Sequence, residues 1–345
     1  MPRDPAQALA PYDPRAGHGP WDARLAAHLL RRALGGGTPR QARALARGGA
    51  AEAVASVFGA SEPAREAAWE RLGRAAALAG EDEGLAAWLL LALAQESRAT
   101  GARLALFWHG HFACARSKVR ENEFLRHQQQ TLLDAGAGPF EQLALSIARE
   151  PAMLRFLDGD GNRRGTPNEN LGREILELFV LGEGNYTEDD VKEGARCLTG
   201  RTVRRGRYMF VPEHHDPRPK AVLGRMIGDG DDFVRLAVAQ PACPRFLIGK
   251  LWRFYVSPEP PQDVVDLLAE RWREHGLETA WLLRSLLGSR AFFSAQAWRS
   301  LVKSPADYAV GVVRALAARP DFRRLARTCA AMGQALFEPP GVQGW

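Results

Sequence analysis

Helix start and stop signals recur along the whole chain, and they restrict it to a helical fold. Thr38 and Gln41 frame Pro39 in a capping box, with threonine at the N-cap and glutamine three positions later. The segment 84–95 is apolar on every side, which is typical of a helix buried in a core. Strand-like sequence is convincing only at 202–211, where two short runs flank Arg205-Gly206-Arg207. We therefore predict an all-α, multi-helix globular domain with a small β-hairpin insertion at 202–211.

Length and composition indicate one globular body. The chain has 345 residues, of which 46% are hydrophobic and 25% charged, close to the averages of folded proteins. No internal segment is long or polar enough to act as a linker between domains. We expect one helical domain over 1–345, in which 1–99 forms an N-terminal helical part.

The net positive charge raises nucleic-acid binding as a hypothesis, but the distribution of the arginines does not favour it. The chain carries 46 basic and 40 acidic residues, a net charge of +6. Its densest basic cluster holds four arginines at the predicted hairpin: Arg201, Arg204, Arg205 and Arg207. Many other arginines lie three or four positions from an acidic residue, as on solvated helix faces. Nucleic-acid binding is therefore the least favoured function.

The apolar runs are too short for export or for a membrane span. Residues 1–22 contain no apolar run of the kind found in secretory signals, which is about 7–15 residues long. The longest run, 85–94, is well below the roughly 20 residues that a transmembrane helix needs. These observations predict a cytoplasmic protein without a membrane span.

Two histidines in the segment FWHGHF (107–112) are the first candidate metal ligands. His109 and His111 stand two positions apart, a spacing that points side chains to one face of a strand or irregular turn. On a helix the two side chains diverge by about 200°, so they could not bind one ion together. The alternative is a pair of hydrogen-bonded, half-buried histidines, because the remaining ligands are absent from this segment.

Polar side chains are also dense in PNENLGREILELF (167–179). Glu169, Arg173 and Glu177 have the i, i+4, i+8 spacing of an ion-pair ladder on one helix face. The ladder leaves three polar residues unexplained: Asn168, Asn170 and Glu174. A carboxylate buried among them would need a cation or a proton.

Two further histidines complete the candidate set. His215 is followed by Asp216, and a carboxylate beside an imidazole can orient it as a metal ligand or a general base. A polar surface loop is the alternative for this segment. His127 follows Arg126 on a predicted helix and has no partner nearby in the sequence.

These segments resemble a bacterial family known as domain of unknown function number 1800. The matching stretches are FWHGHF (107–112), RH (126–127), EPAMLRFLDG (150–159), PNENLGREILELFVLGEGNYTEDDVKEGARCLTG (167–200), HD (215–216), PACPRFLIGKLWRFYV (241–256), KSP (303–305) and MGQALFEPPGVQGW (332–345). Residues 100–345 are thus the family-defining part, whereas LLRRALGG in the N-terminal part matches more loosely.

The resemblance implies a bacterial protein from a family of uncharacterised activity, whose members are often exported and often encoded beside a sulfatase-like protein, which would be the partner. It also implies that the chain is truncated, because family members continue beyond the final Gly-Trp into further helices. Export would contradict the cytoplasmic location expected from residues 1–22.

The mixture of imidazole and carboxylate groups favours a metal-dependent, hydrolase-like enzyme. The predicted ligands of its divalent metal are His109, His111, Glu169 and His215. The predicted catalytic residues are His127, Glu174 and Asp216, with His127 as general base and Asp216 orienting His215. Asn168, Asn170 and Arg173 are predicted binding residues. The alternative is a non-catalytic module for a partner protein or a glycan, whose polar clusters are caps and hydrogen-bond networks of the fold.

Overall fold

The computed structural model describes residues 4–59, 63–81, 83–95 and 99–345, and helices dominate these residues. The α-helices in chain order are α1 (Pro5–Leu9), α2 (Ala23–Leu34), α3 (Pro39–Ala46), α4 (Ala50–Ser56), α5 (Pro63–Ala79), α6 (Gly84–Ala94), α7 (Ala99–His111), α8 (Asn122–Ala135), α9 (Phe140–Ile147), α10 (Pro151–Phe156), α11 (Asn170–Glu174), α12 (Glu188–Cys197), α13 (Gly230–Ala239), α14 (Ala242–Tyr255), α15 (Gln262–Glu274), α16 (Thr279–Gly288), α17 (Pro305–Leu316) and α18 (Phe322–Ala331). A π-helical segment, Ile175–Val180, follows α11 directly. The all-α class is confirmed.

The predicted hairpin is confirmed at the expected place. Strands β1 (Arg201–Arg204) and β2 (Arg207–Phe210) are antiparallel, with Arg201 opposite Phe210. Arg205 and Gly206 join them with φ values of 50° and 75°. Two consecutive left-handed residues make a turn whose twist matches that of the strands.

A second hairpin was not predicted. Strands β3 (Lys220–Val222) and β4 (Arg225–Ile227) pair antiparallel around Leu223 and Gly224, which have φ values of 47° and 75°. Each strand has only three residues, so the alternation of apolar and polar side chains is too short to stand out.

The described residues form two compact units. The first unit joins 1–107 with 248–336, and the second unit joins 108–247 with 337–345. The sequence predicted one domain over 1–345 with an N-terminal part that ends at residue 99. The division into compact units does not test this, so it stays a prediction.

The core of the first unit surrounds α6. Leu89, Leu90 and Ala92 are fully buried, as the uniformly apolar segment predicted. Helices α5, α17 and α18 pack against α6. The Trp69 ring stacks on Trp88 with the ring centroids 4.6 Å apart.

The core of the second unit is built on stacked aromatic rings. Trp108, Phe112 and Phe140 are almost parallel, with Trp108 lying 5.6 and 5.7 Å from the other two centroids. The Trp108 indole N–H donates to the Gly136 carbonyl oxygen at 3.0 Å, so its polar atom is satisfied within the core.

Candidate functional site

His109 lies in a closed aromatic environment within the second unit. Its Nε2 accepts a hydrogen bond from the Phe337 backbone N–H at 3.1 Å. Its ring stacks on Trp345 with centroids 5.3 Å apart, and the residue is 6% exposed. Burial lowers the pKa of His109 to about 4, so the ring is neutral near pH 7. It acts as a hydrogen-bond acceptor that anchors residue 337.

His111 satisfies a backbone carbonyl of the π-helical segment. Its Nε2 lies 3.0 Å from the carbonyl oxygen of Phe179, and because that oxygen only accepts, Nε2 is the protonated nitrogen. Phe179 lies in the last turn of the helical run, where the carbonyls have no N–H partner within the helix. The residue is 4% exposed. Helix α7 runs through both histidines, so their side chains diverge as a helix requires.

Arg173 of α11 forms ion pairs with two glutamates that lie outside this helix. Arg173 binds Glu169 at 3.0 Å and both carboxylate oxygens of Glu188 at 2.7 and 2.8 Å. Glu188, the strongest influence, raises the pKa of Arg173 above its usual range. Glu177 is not the third step of the predicted ladder, because it accepts a hydrogen bond from the Tyr186 hydroxyl at 2.7 Å.

Glu174 lies half-buried at the end of α11. Burial raises the pKa of its carboxyl, and the neighbouring charge of Glu177 adds to this rise. The charge of Arg173 acts in the opposite direction. A raised carboxyl pKa is compatible with proton transfer, yet it also follows from partial burial alone.

The two predicted binding asparagines help to shape the loop before α11. Buried Asn162 anchors this loop by donating to the Ala195 carbonyl oxygen at 2.8 Å and accepting from the Asn168 N–H at 3.0 Å. The Asn168 side chain in turn accepts from the Asn170 N–H at 3.0 Å. The Asn170 amide lies 3.3 Å from Asp158. Hydrogen bonds within the fold therefore account for the asparagines of this loop, and no ligand is needed to explain them.

Asp216 is a buried carboxylate held by arginines rather than by histidine. It accepts from Arg196 at 2.9 Å and from the Arg218 guanidinium at 2.7 and 3.0 Å. The Arg218 guanidinium, with help from Arg196, holds the pKa of Asp216 far below its usual range. His215 instead places Nδ1 2.9 Å from the Thr199 carbonyl oxygen. The structure gives no contact in which Asp216 orients His215, contrary to the expectation from their adjacency.

Lys220 belongs to the same network and was missed by sequence reasoning. It is fully buried, and burial lowers the pKa of its ammonium group. Nζ donates to the carbonyl oxygens of Asp216 and Gly228, the latter at 2.6 Å, and lies 3.4 Å from His215 Nε2. The segment around it is polar, so no sequence signal distinguished a buried lysine from a surface one.

His127 lies at the surface and pairs with a buried carboxylate. Its side chain is 59% exposed, and Nδ1 lies 2.9 Å from Oε2 of Glu150, whose side chain is 5% exposed. Thr131 donates to the other carboxylate oxygen at 2.5 Å. The hydrogen bond to Glu150 raises the pKa of His127. Glu150 was missed because it is 23 residues away, although Thr131, one helical turn after His127, marks the shared face of α8.

The four predicted metal ligands are not brought together. Within the ranges that the structure describes, no group of three or more His, Cys, Asp or Glu side chains could hold a metal ion. The predicted set was His109, His111, Glu169 and His215. Each of these already bonds to a backbone group or an arginine, as described above, so their arrangement does not fit a divalent metal.

The arginine cluster of the first hairpin is not a continuous basic surface. Arg201 is buried and donates to the Ala148 carbonyl oxygen at 2.9 Å and to Asp231 at 2.8 Å. Burial lowers the pKa of Arg201. One of the four cations therefore serves the interior of the second unit.

An open groove of about 660 Å³ lies in the first unit, where α4, α15 and α16 meet the segment 9–12. The Tyr12 N–H donates to the Gly288 carbonyl oxygen at 2.8 Å and ties that segment to the end of α16. Much of the lining is apolar and includes Tyr12, Val54, Phe58, Leu268 and Trp281. No motif announces this site, because its residues come from three distant parts of the chain.

The polar lining of the groove is cationic. Arg271, Arg284 and Ser285 line it, and no Asp or Glu among the described residues does so. The Arg284 guanidinium lies 5.2 Å from the Phe58 ring centroid, a cation–π distance. The volume of the groove falls within the usual range of small-molecule sites, about 300–1,000 Å³.

A family model described as "Protein of unknown function (DUF1800)" matches residues 28–345, so the chain belongs to this family. No curated protein and no solved structure matches the chain. Within the described residues, no helix is both long and apolar enough to cross a membrane.

Proposed function

We propose that this chain, a member of a family whose description names no activity, is a non-catalytic binding module. The observation that carries the proposal is the apolar groove of the first unit, with its aromatic lining and its open side. Concave, largely apolar sites with a few polar groups are the usual form of ligand pockets.

The bonding of the polar candidates supports binding over metal-dependent hydrolysis. His109 and His111 are closed in the core of the second unit, where each bonds a backbone group. Asp216 is occupied by two arginines. These residues act as parts of hydrogen-bond networks that stabilise the fold.

The groove lining favours an apolar ligand over the glycan considered from the sequence. A bound sugar would bury hydroxyl groups against Val54, Leu268 and Trp281, and unpaired polar groups are costly to bury. Each Å² of apolar ligand surface removed from water contributes about 25 cal/mol of favourable free energy.

Blocking the groove tests the proposal. Ala55 lies on the exposed side of α4 and lines the groove, so Ala55→Trp fills the space without changing the core. Ser56→Trp places the same side chain one residue later, outside the lining, and is the matched control. We expect the uncharged dye Nile red to bind wild type and the Ser56 variant, with binding reduced about tenfold or more in the Ala55 variant.

Equal dye binding in the two tryptophan variants would contradict the assignment of the groove as the site. Circular dichroism of both variants would show that the comparison concerns folded protein.

A hydrolase-like enzyme is the second candidate, and the His127–Glu150 pair favours it. A buried carboxylate that holds one imidazole nitrogen leaves the other free to accept a proton from water. The test is hydrolysis of p-nitrophenyl acetate by wild type, His127→Ala and Glu150→Gln. A rate that does not fall in either variant would reject His127 as a base.

The sulfatase-like partner protein implied by the family resemblance is a separate proposal. Co-purification of the two proteins from cells that express both would support it, and independent migration would reject it.

A further inference from the structure

The groove carries positive charge in a largely apolar lining. Arg271 comes from α15 and Arg284 from α16, so two successive helices of the chain each contribute one guanidinium. Among the described residues, neither group has a carboxylate partner in an ion pair, and Arg284 rests on the Phe58 ring. Two cations on an apolar wall are a specific combination that the fold itself does not use.

We infer that the groove binds an amphiphile made of an apolar chain with a carboxylate head, the class of the free long-chain fatty acids. The inference rests on the proposed function, since it names the ligand of the same groove. The chain would lie against Val54, Leu268 and Trp281, and the head would meet the guanidinium groups.

Charge complementarity selects the head group. Guanidinium groups bind carboxylates with paired, charge-assisted hydrogen bonds, which are about twice as strong as bonds between neutral groups. A cationic head would face like charges without any acidic side chain in the lining to offset them.

The shape of the groove favours a narrow chain over a folded partner. A stable protein interface buries roughly 800 Å² on each side and is usually broad and flat. This groove is a concave space of about 660 Å³, the size of a small-ligand site. A folded partner seated on it is therefore the competing outcome and not the expected one.

Three amphiphiles with the same chain test the inference. Dodecanoate, 1-dodecanol and dodecyltrimethylammonium, each below its micelle concentration, would compete with Nile red for the wild-type protein. We expect dodecanoate to compete best and the ammonium compound worst, with about tenfold or more between the two.

Matched variants assign the preference to the groove. In Arg271→Gln/Arg284→Gln the affinity for dodecanoate should fall about tenfold, whereas that for dodecanol should change by less than about twofold. Arg273→Gln removes an exposed arginine of α15 that does not line the groove, so it should leave both affinities unchanged.

The outcomes separate this inference from the proposed function. Nile red binding that Ala55→Trp abolishes, together with equal competition by all three amphiphiles, would leave the binding module standing and overturn the fatty-acid assignment. An anion preference that survives in the double variant would overturn it as well. Dye binding that ignores the groove altogether would overturn both.

Discussion

Replacing His109 by phenylalanine should make the stability of the protein less sensitive to acid. Phenylalanine keeps the ring contacts with Phe337 and Trp345 but does not titrate. The pKa of His109 is lowered from 6.5 to about 4 in the folded protein. The unfolded chain therefore binds the proton more readily, and stability that is fully present above pH 6.5 is lost as pH falls towards 4.

The linkage relation gives the magnitude of this effect. For a pKa that moves from 6.5 to about 4, the loss is about 2 kcal/mol at pH 5 and about 3 kcal/mol at pH 4. At pH 7.5 the variant should be less stable than wild type by about 1–3 kcal/mol, because the Phe337 N–H loses its acceptor. The gap between the two proteins should thus narrow by about 2 kcal/mol between pH 7.5 and pH 5.

Urea unfolding at the two pH values, followed by circular dichroism, measures this gap. His275 is an exposed histidine that stacks on Trp281, and His275→Phe is the matched control. A gap for the His109 variant that is the same at pH 7.5 and pH 5 would refute the reasoning, because the histidine would then titrate alike in the folded and unfolded chains.

Three further predictions concern separate parts of the second unit. Asp216→Asn should lower the free energy of unfolding by about 1–3 kcal/mol in urea titrations at pH 7, because the buried carboxylate loses its charge-assisted hydrogen bonds to Arg196 and the more exposed Arg218; no loss would mean that the arginines do not need the carboxylate. Gly194→Ala should cost about 1–3 kcal/mol, since its Cβ would lie 2.6 Å from the Phe233 ring, whereas Gly161→Ala, with open space around it, should leave the thermal midpoint unchanged. Glu150→Gln should lower the pKa of His127 in an NMR titration, and an unchanged value would disprove the pairing.

Helix ends could be predicted from the sequence because the hydrogen bonds that cap a helix join residues close together in the chain. The capping box predicted at Thr38 and Gln41 forms, and the structure has a second one at Thr187 and Asp190. In each case the bonding atoms lie within four residues, so the sequence window contains both partners. The first hairpin was predictable for the same reason, whereas the second has strands too short to show a period.

The candidate site was only partly predictable, because its bonds join distant residues. The sequence pointed to His127 but not to its partner Glu150, 23 residues later. It also did not reveal that arginines, and not His215, would bind Asp216. Polar residue types reveal bonding capacity without revealing the partner. The groove gave no signal at all, since Val54 and Trp281 are ordinary apolar residues until the fold brings them together.

The π-helical segment Ile175–Val180 stores one extra residue inside a helix instead of in a loop. The helical run ends with this segment at Val180, and inside it each backbone N–H bonds to the carbonyl five residues earlier instead of four. Deleting Leu178 would therefore return the chain to α register, and another carbonyl would face the His111 ring in place of that of Phe179. A one-residue change in length within 175–180 therefore alters the hydrogen bonding of the last helical turn before the loop at 181–187.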